Sequence, residues 1–160
     1  MKKHVLICLT FVPIIVGYIR NLTVLLPGIG IVLYYLLPLL TTVFWFYLGK
    51  QFAHTTWKTI PAMLFGNATG TVSLLVYLFQ LILPTEEARN TALAGASQLF
   101  SSSAPDFLLG RFAMLFESAP NTITMASAIA LKVISTVYMI AIFCVAFLLE
   151  RRKVRKTQIQ

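Results

Sequence analysis

The feature that most constrains this chain is an apolar run from Ile123 to Leu149, which is followed by a dense group of basic residues. The run is longer than the roughly 20 apolar residues that an α-helix needs to cross a bilayer. The basic group, from Arg151 to Lys156, is typical of a segment beside the cytoplasmic face of a membrane, where Lys and Arg are in excess. The run therefore predicts a transmembrane helix and the direction in which it crosses.

The composition extends this interpretation to the whole chain. Of the 160 residues, 58% are hydrophobic and 11% are charged, and the mean hydropathy is +0.83. A soluble domain has about 45–50% apolar and about 25% charged residues, so this chain has too few charges to cover its apolar surface. The net charge of +8 does not predict a nucleic-acid partner, because Lys and Arg lie at the ends of the apolar runs and form no continuous basic face. We expect membrane lipids as partners instead.

Three further apolar runs predict three more spans, so that the four lie at about residues 5–26, 29–48, 60–83 and 123–149. The first run begins like a secretory signal, but no A-x-A-like cleavage site follows it, and we expect an uncleaved span. The predicted fold is all-α: residues 1–160 form one membrane-embedded domain, an integral membrane bundle of four transmembrane helices.

The basic residues predict how these spans are oriented. With four spans and both termini cytoplasmic, the inner side holds Lys2, Lys3, Lys50, Lys58, Arg151, Arg152, Lys153, Arg155 and Lys156. The outer half holds Arg20, Arg89 and Arg111, with Lys132 inside the last span. This bias follows the positive-inside rule. We expect a multi-pass protein of a bacterial inner (cytoplasmic) cell membrane, with residues 150–160 as a basic cytoplasmic tail.

Residues 84–122 are the only long polar segment, and we expect two short helices there, on the outer side. The first has a plausible start at Thr85 to Glu87, where a hydroxyl can cap the helix and acids suit its positive end. It would run to about Phe100, before three serines break it. The second is predicted from Pro105 to Ser118, which is too short to span and is therefore re-entrant or interfacial.

A stripe of small and polar residues runs along one face of the third predicted span, because its members recur at intervals of three and four. The stripe consists of Ala62, Gly66, Gly70, Ser73, Tyr77 and Gln80. Gly66 and Gly70 form a G-x-x-x-G motif, which lets another helix approach closely. We expect Ala62, Gly66, Gly70 and Ser73 to pack against a helix, and the glycine face to contact another membrane protein or a second copy of this chain.

Polar groups from three spans fall at one level in the outer third of the bilayer. At about 1.5 Å per residue, Arg20 lies about 22 Å, and Tyr77 and Lys132 each lie about 26 Å, above the cytoplasmic ends of their spans. We expect Arg20, Lys132, Tyr77 and Gln80 to form a polar cluster that binds an acidic partner or an anion. The alternative is that both cations extend independently to the outer interface.

An acidic stripe on the second short helix could close that cluster. Asp106, Gly110, Ala113 and Glu117 share one face at 100° per residue, and most of the remaining residues are apolar. We expect Asp106 or Glu117 to neutralise Arg20 and Lys132. The alternative is an interfacial anchor whose acids face water.

Motifs for catalysis are absent from the sequence: there is no H-E-x-x-H, G-x-S-x-G, C-x-x-C or P-loop pattern. We expect no metal and no cofactor. The sequence favours a non-enzymatic small membrane protein, a subunit or accessory component of a transport or envelope complex. The alternatives are a self-assembling channel or small transporter and, third, an enzyme acting on lipid headgroups.

Overall fold

The computed structural model describes residues 2–82, 89–117 and 122–157, and all regular elements within those ranges are helices. In chain order they are α1 (Lys3–Leu9), α2 (Val12–Thr23), α3 (Ile29–Ala53), α4 (Thr59–Ile82), α5 (Thr91–Ser97), α6 (Leu99–Ser102), α7 (Asp106–Ala113) and α8 (Met125–Thr157). Four segments are long and apolar enough to cross a membrane: Lys3–Thr23, Ile29–Ala53, Thr59–Leu81 and Met125–Lys156. The all-helical prediction with four span-length segments is confirmed.

The first span is two helices rather than the single predicted one. Pro13 lies at the start of α2, and its ring would clash with the carbonyl of Leu9, four residues earlier, where α1 ends. The Thr10 hydroxyl at this break is 2.8 Å from the Thr69 hydroxyl of α4. α2 ends at Thr23, and Gly28, with φ of 75°, makes the turn into α3. Only glycine adopts this left-handed backbone readily.

The other span boundaries agree with prediction to different degrees. α4 agrees closely with the predicted span 60–83, whereas α3 and α8 run past the predicted ends at residues 48 and 149. Most of the predicted basic tail is therefore a continuation of α8. The predicted helix start at Thr85 to Glu87 lies outside the described residues.

Aromatic rings form the centre of the bundle, where α3 and α8 pack together. Trp45 and Phe52 of α3 and Phe143 of α8 are all fully buried. The Phe143 ring lies 5.6 Å from that of Trp45 and 5.3 Å from that of Phe52. Each such pair contributes about 0.5–1.5 kcal/mol beyond its buried area.

One end of the bundle gathers the N-terminus, the α3–α4 loop and the C-terminal part of α8, and we call it the basic end. The Arg151 guanidinium donates hydrogen bonds to the carbonyl oxygens of Ala53, Thr55 and Trp57, at 2.7–3.0 Å. The ammonium group of Lys3 lies over the Trp57 ring at 5.8 Å. These contacts hold the chain reversal between α3 and α4 against α8.

The segment 91–113, from α5 to α7, does not form the predicted outer cap of two short helices. It enters the bundle between α2, α4 and α8 and returns, and we call it the inserted segment. Its Phe100 ring is fully buried and lies 5.5 Å from the ring of Trp45. The end of the bundle from which it enters, opposite the basic end, is the insertion end.

Candidate functional site

The tip of the inserted segment, residues 101–105, is buried throughout. It can lie this deep because Gly17 of α2 has no side chain: a Cβ there would clash with the backbone carbonyl of Leu99. Asn90 caps the start of α5 by accepting a hydrogen bond from the Leu93 amide at 3.0 Å. The three serines, expected only to break a helix, therefore bring hydroxyl and backbone groups into the interior.

Arg20 of α2 is the centre of the polar site. Its side chain is 3% exposed, and its guanidinium binds the Asp106 carboxylate through two nitrogens, at 2.9 and 2.5 Å. The same guanidinium donates to the Ser102 carbonyl oxygen at 2.6 Å. This fork geometry is the strong, directional way in which Arg binds a carboxylate. The Arg20 Nε is also buried and has no hydrogen-bond partner among the described residues.

Tyr34 of α3 contacts both Arg20 and Asp106, and the sequence analysis did not predict it. The guanidinium carbon lies 4.1 Å from the centre of the Tyr34 ring, and the Tyr34 hydroxyl donates to Asp106 at 3.3 Å. A cation over an aromatic ring is stabilised by about 0.5–2 kcal/mol. An aromatic residue on a neighbouring span is a common feature of membrane helices, so the sequence carries no signal that separates Tyr34 from Tyr35.

Lys132 of α8 reaches the same tip from the other side. Its ammonium group donates a hydrogen bond to the Ser102 hydroxyl at 3.1 Å. Among the described carboxylates, Asp106 pairs with Arg20, Glu150 pairs with His54 and Glu117 accepts from Thr124, and none forms an ion pair with Lys132. The site therefore holds two cations and one carboxylate around Ser102.

A cavity of about 290 Å³ leads to Lys132 between α7 and α8. Apart from Lys132 and Ser127, its lining side chains are apolar, and glycine and alanine widen it: Gly110, Ala113, Met114, Ile123, Ala128 and Leu131. Nearly all of the cavity surface is apolar, so that Lys132 lines it through its hydrocarbon chain while its ammonium group binds Ser102.

Tyr77 and Gln80 do not join this cluster. Both are buried on α4, but Gln80 accepts a hydrogen bond from the Asn90 amide at 2.9 Å. Neither hydrogen-bonds to Arg20, Asp106 or Lys132 among the described contacts. α5 packs against α4, and the Gln80 side chain meets the start of the inserted segment and not its tip.

Glu117 is also separate from the cluster. It follows the 3₁₀ turn Met114–Phe116, and its carboxylate accepts hydrogen bonds from the amide and hydroxyl of Thr124, at 2.6 and 3.0 Å. Hydrogen bonds from the Ser127 hydroxyl and the Thr124 amide lower the pKa of Glu117 from its usual value. Of the two acids that could close the cluster, the structure brings Asp106 to it and leaves Glu117 beside the start of α8.

The small-residue face of α4 is covered by this chain's own side chains. Ala62, Gly66 and Gly70 are buried and Ser73 is half-buried. A Cβ at Gly66 would clash with the Phe143 ring, and one at Gly70 would clash with the Phe100 ring. The expectation that this face contacts another protein or a second copy needs correction, because aromatic rings of α8 and α6 already fill it.

Within residues 2–82, 89–117 and 122–157, no three His, Cys, Asp or Glu side chains lie close enough to hold a metal ion. Comparisons with protein-family models, with curated proteins and with solved structures found no match. The arrangement brings two cations and one described carboxylate together: Lys132 donates to the Ser102 hydroxyl, and Asp106 offsets the charge of Arg20.

Proposed function

We propose that this chain is a non-enzymatic component of a membrane transport or envelope complex, and that Lys132 and Ser102 bind an anionic group from the outer leaflet. The observation that carries the proposal is the excess of one positive charge among the described residues at the tip of the inserted segment. A cation inside a membrane is costly and marks a ligand or ion pathway by default. An anion at Lys132 would remove that cost.

The position of the site supports the same conclusion. Non-helical backbone at membrane depth is tolerated where it is buried in protein or lines a cavity. In transporters, interrupted helices of this kind form binding sites near the middle of the membrane. The tip around Ser103 and Pro105 is non-helical, buried and next to the cavity that ends at Lys132. The apolar walls of this cavity suit the acyl chains of a lipid, whose phosphate would bind Lys132 at the buried tip.

The proposed setting is the inner membrane of a bacterial cell, with both termini in the cytoplasm and the insertion end facing outward. The uneven distribution of Lys and Arg supports this orientation. Labelling of single cysteines in intact cells, on a background without Cys8 and Cys144, tests it. A cysteine at Thr91 should react with a membrane-impermeant reagent and one at Lys156 should not; the reverse pattern would exclude this topology.

A self-assembling channel or small transporter is the second candidate. The inserted segment favours it, since a polar tip inside a four-helix bundle can line a path as well as bind a ligand. An enzyme acting on lipid headgroups has the least support. Asp106 is held by Arg20 and Glu117 by Thr124, so that neither carboxylate is free to act as the acid–base group that this function requires.

Native mass spectrometry of the protein extracted from its own membrane separates these functions. A subunit should appear with a different chain, whereas a channel should appear as a homo-oligomer and give ion flux in liposomes. Turnover of lipid by the purified protein alone would contradict the proposal.

Retention of anionic lipid tests the site itself. Lys132→Met should lower retention about fivefold or more, while Arg111→Gln, which removes a charge from the exposed face of α7, should change it less than twofold. Equal retention in the two variants would exclude Lys132 as the binding group.

A further inference from the structure

A second cavity lies at the basic end, between the α3–α4 loop and α8, and the proposed function does not use it. Its volume is about 310 Å³. It is lined by Ala53, His54, Thr55, Thr56, Arg151, Val154 and Arg155. Unlike the cavity at Lys132, this one is lined mainly by polar and cationic side chains.

Arg151 shapes the cavity by holding one wall of it in place. Three carbonyl oxygens at the end of α3 and in the following loop accept hydrogen bonds from its guanidinium. Carbonyl groups at a helix C-terminus would normally repel an anion. Because Arg151 binds these groups, its positive charge offsets that repulsion.

Arg155 follows Arg151 by four residues and therefore lies on the same face of α8. Its side chain is exposed, and no described carboxylate forms an ion pair with it. Glu150, the acid nearest in sequence, binds the Nε2 atom of His54 at 3.3 Å and is not part of the cavity lining. Arg155 and the Thr56 hydroxyl are thus available to an anion.

The level of the cavity identifies the source of that anion. At about 1.5 Å per residue, Arg151 and Arg155 lie about 3 and 9 Å beyond Leu149, where the apolar run of α8 ends. The headgroup layer on each side of a bilayer is roughly 5–8 Å thick. The cavity is therefore at the height of lipid phosphates.

We infer that this cavity binds the phosphate group of an anionic lipid in the leaflet next to the basic end, with Arg155 and Thr56 as the contacting residues. Basic cavities between transmembrane helices at the level of the headgroups are suited to lipid phosphates. The inference is independent of the proposed function, because the two sites lie at opposite ends of the bundle.

The test is native mass spectrometry of the full-length protein in a neutral detergent, titrated with phosphatidylglycerol. Arg155→Gln should weaken one lipid-binding step about fivefold, the factor expected for one arginine beside an anionic headgroup. The matched control is Arg152→Gln, which removes the same charge from the same helix outside the cavity and should change binding less than twofold. Thr56→Val should weaken the same step as Arg155→Gln, which checks the site with an uncharged substitution.

Three outcomes would overturn the inference. If Arg155→Gln and Arg152→Gln weaken lipid binding equally, overall charge alone attracts the lipid. If neither Arg155→Gln nor Thr56→Val weakens lipid binding, the lipid binds outside this cavity. Displacement of the lipid by an equal concentration of inorganic phosphate would assign the cavity to a free anion. Lys132→Met reports on the other site and should leave the Arg155-dependent step unchanged, so that a failure at one site is distinguishable from a failure at the other.

Discussion

Arg151 and Arg20 extend guanidinium groups into opposite ends of the same bundle, but they bind different partners. Arg151 donates to three backbone carbonyl oxygens, and none of the described carboxylates takes part. Arg20 binds the Asp106 carboxylate, the Ser102 carbonyl and the face of the Tyr34 ring. One arginine completes a chain reversal, whereas the other joins the inserted segment to α2 and α3.

The difference shows where the molecule has charge available for binding. At the basic end, removing Arg151 would leave neutral carbonyl groups beside water and headgroups. At the insertion end, Asp106 neutralises Arg20, and Lys132 is left with a hydroxyl as its described partner. A buried charge without a counterion is stabilised by binding an anion. The comparison therefore favours a structural role for Arg151 and supports the proposed binding role of Lys132.

The largest effect is expected from breaking the buried pair. Arg20→Met leaves the partly buried Asp106 without its cation and should lower the free energy of unfolding by about 3 kcal/mol, the lower end of the range for a buried pair. Arg20→Met combined with Asp106→Leu should lose less than the sum of the single losses, because neither charge is then stranded. Denaturation in mixed micelles measures these values. Strict additivity in the double variant would show that the pair is not coupled in the folded protein.

Replacing Arg151 should lower the free energy of unfolding by less than replacing Arg20. Arg151→Gln cannot bind all three carbonyl groups, and we expect a loss of about 2–3 kcal/mol in the free energy of unfolding. Arg152→Gln, its exposed neighbour, should stay within about 0.5 kcal/mol of the original protein. A similar small change in both variants would mean that the loop does not depend on Arg151.

Insertion of the 91–113 segment depends on the close approach at Gly17. Gly17→Ala adds a methyl group against the Leu99 carbonyl and should destabilise the protein by about 1–3 kcal/mol. Gly95→Ala is the matched control, since no atom lies within 4 Å of a Cβ at that helical position. The control should be neutral or stabilising by up to about 1 kcal/mol. If Gly17→Ala were as stable as Gly95→Ala, α6 would not pack against α2 as described.

Lys132→Met should have the smallest effect on stability, within about 1 kcal/mol in lipid-free detergent. The lost hydrogen bond to Ser102 is offset because a buried cation without a carboxylate partner is removed. A loss of unfolding free energy as large as that of Arg20→Met would show that Lys132 stabilises the fold. The assignment of a binding role to Lys132 would then be wrong.

The sequence by itself determined the fold class and the four span-length helices. Runs such as Ile123–Leu149 are apolar over a length that only a helix across a membrane, or a fully buried one, can accommodate. It also identified Arg20, Lys132 and Asp106 as members of a possible site. An ionisable group in or beside an apolar run costs free energy unless it finds a partner or water. These are properties of composition and spacing along one segment, and they need no knowledge of neighbouring segments.

Tertiary structure alone decided which polar groups meet. Position along a helix gives a height, but contact also requires the direction in which a side chain points and the segment that packs there. For this reason Tyr77 and Gln80 lie outside the site, with Gln80 bonded to the start of α5, while Ser102 and Tyr34 join the site without a sequence signal. Asp106 could reach Arg20 because Gly17 lets the inserted segment pass close to α2. The same contact lets a segment that was predicted as an outer cap pack inside the bundle. Short apolar helices can cover a bundle or enter it, and the space between the neighbouring helices decides between these two arrangements.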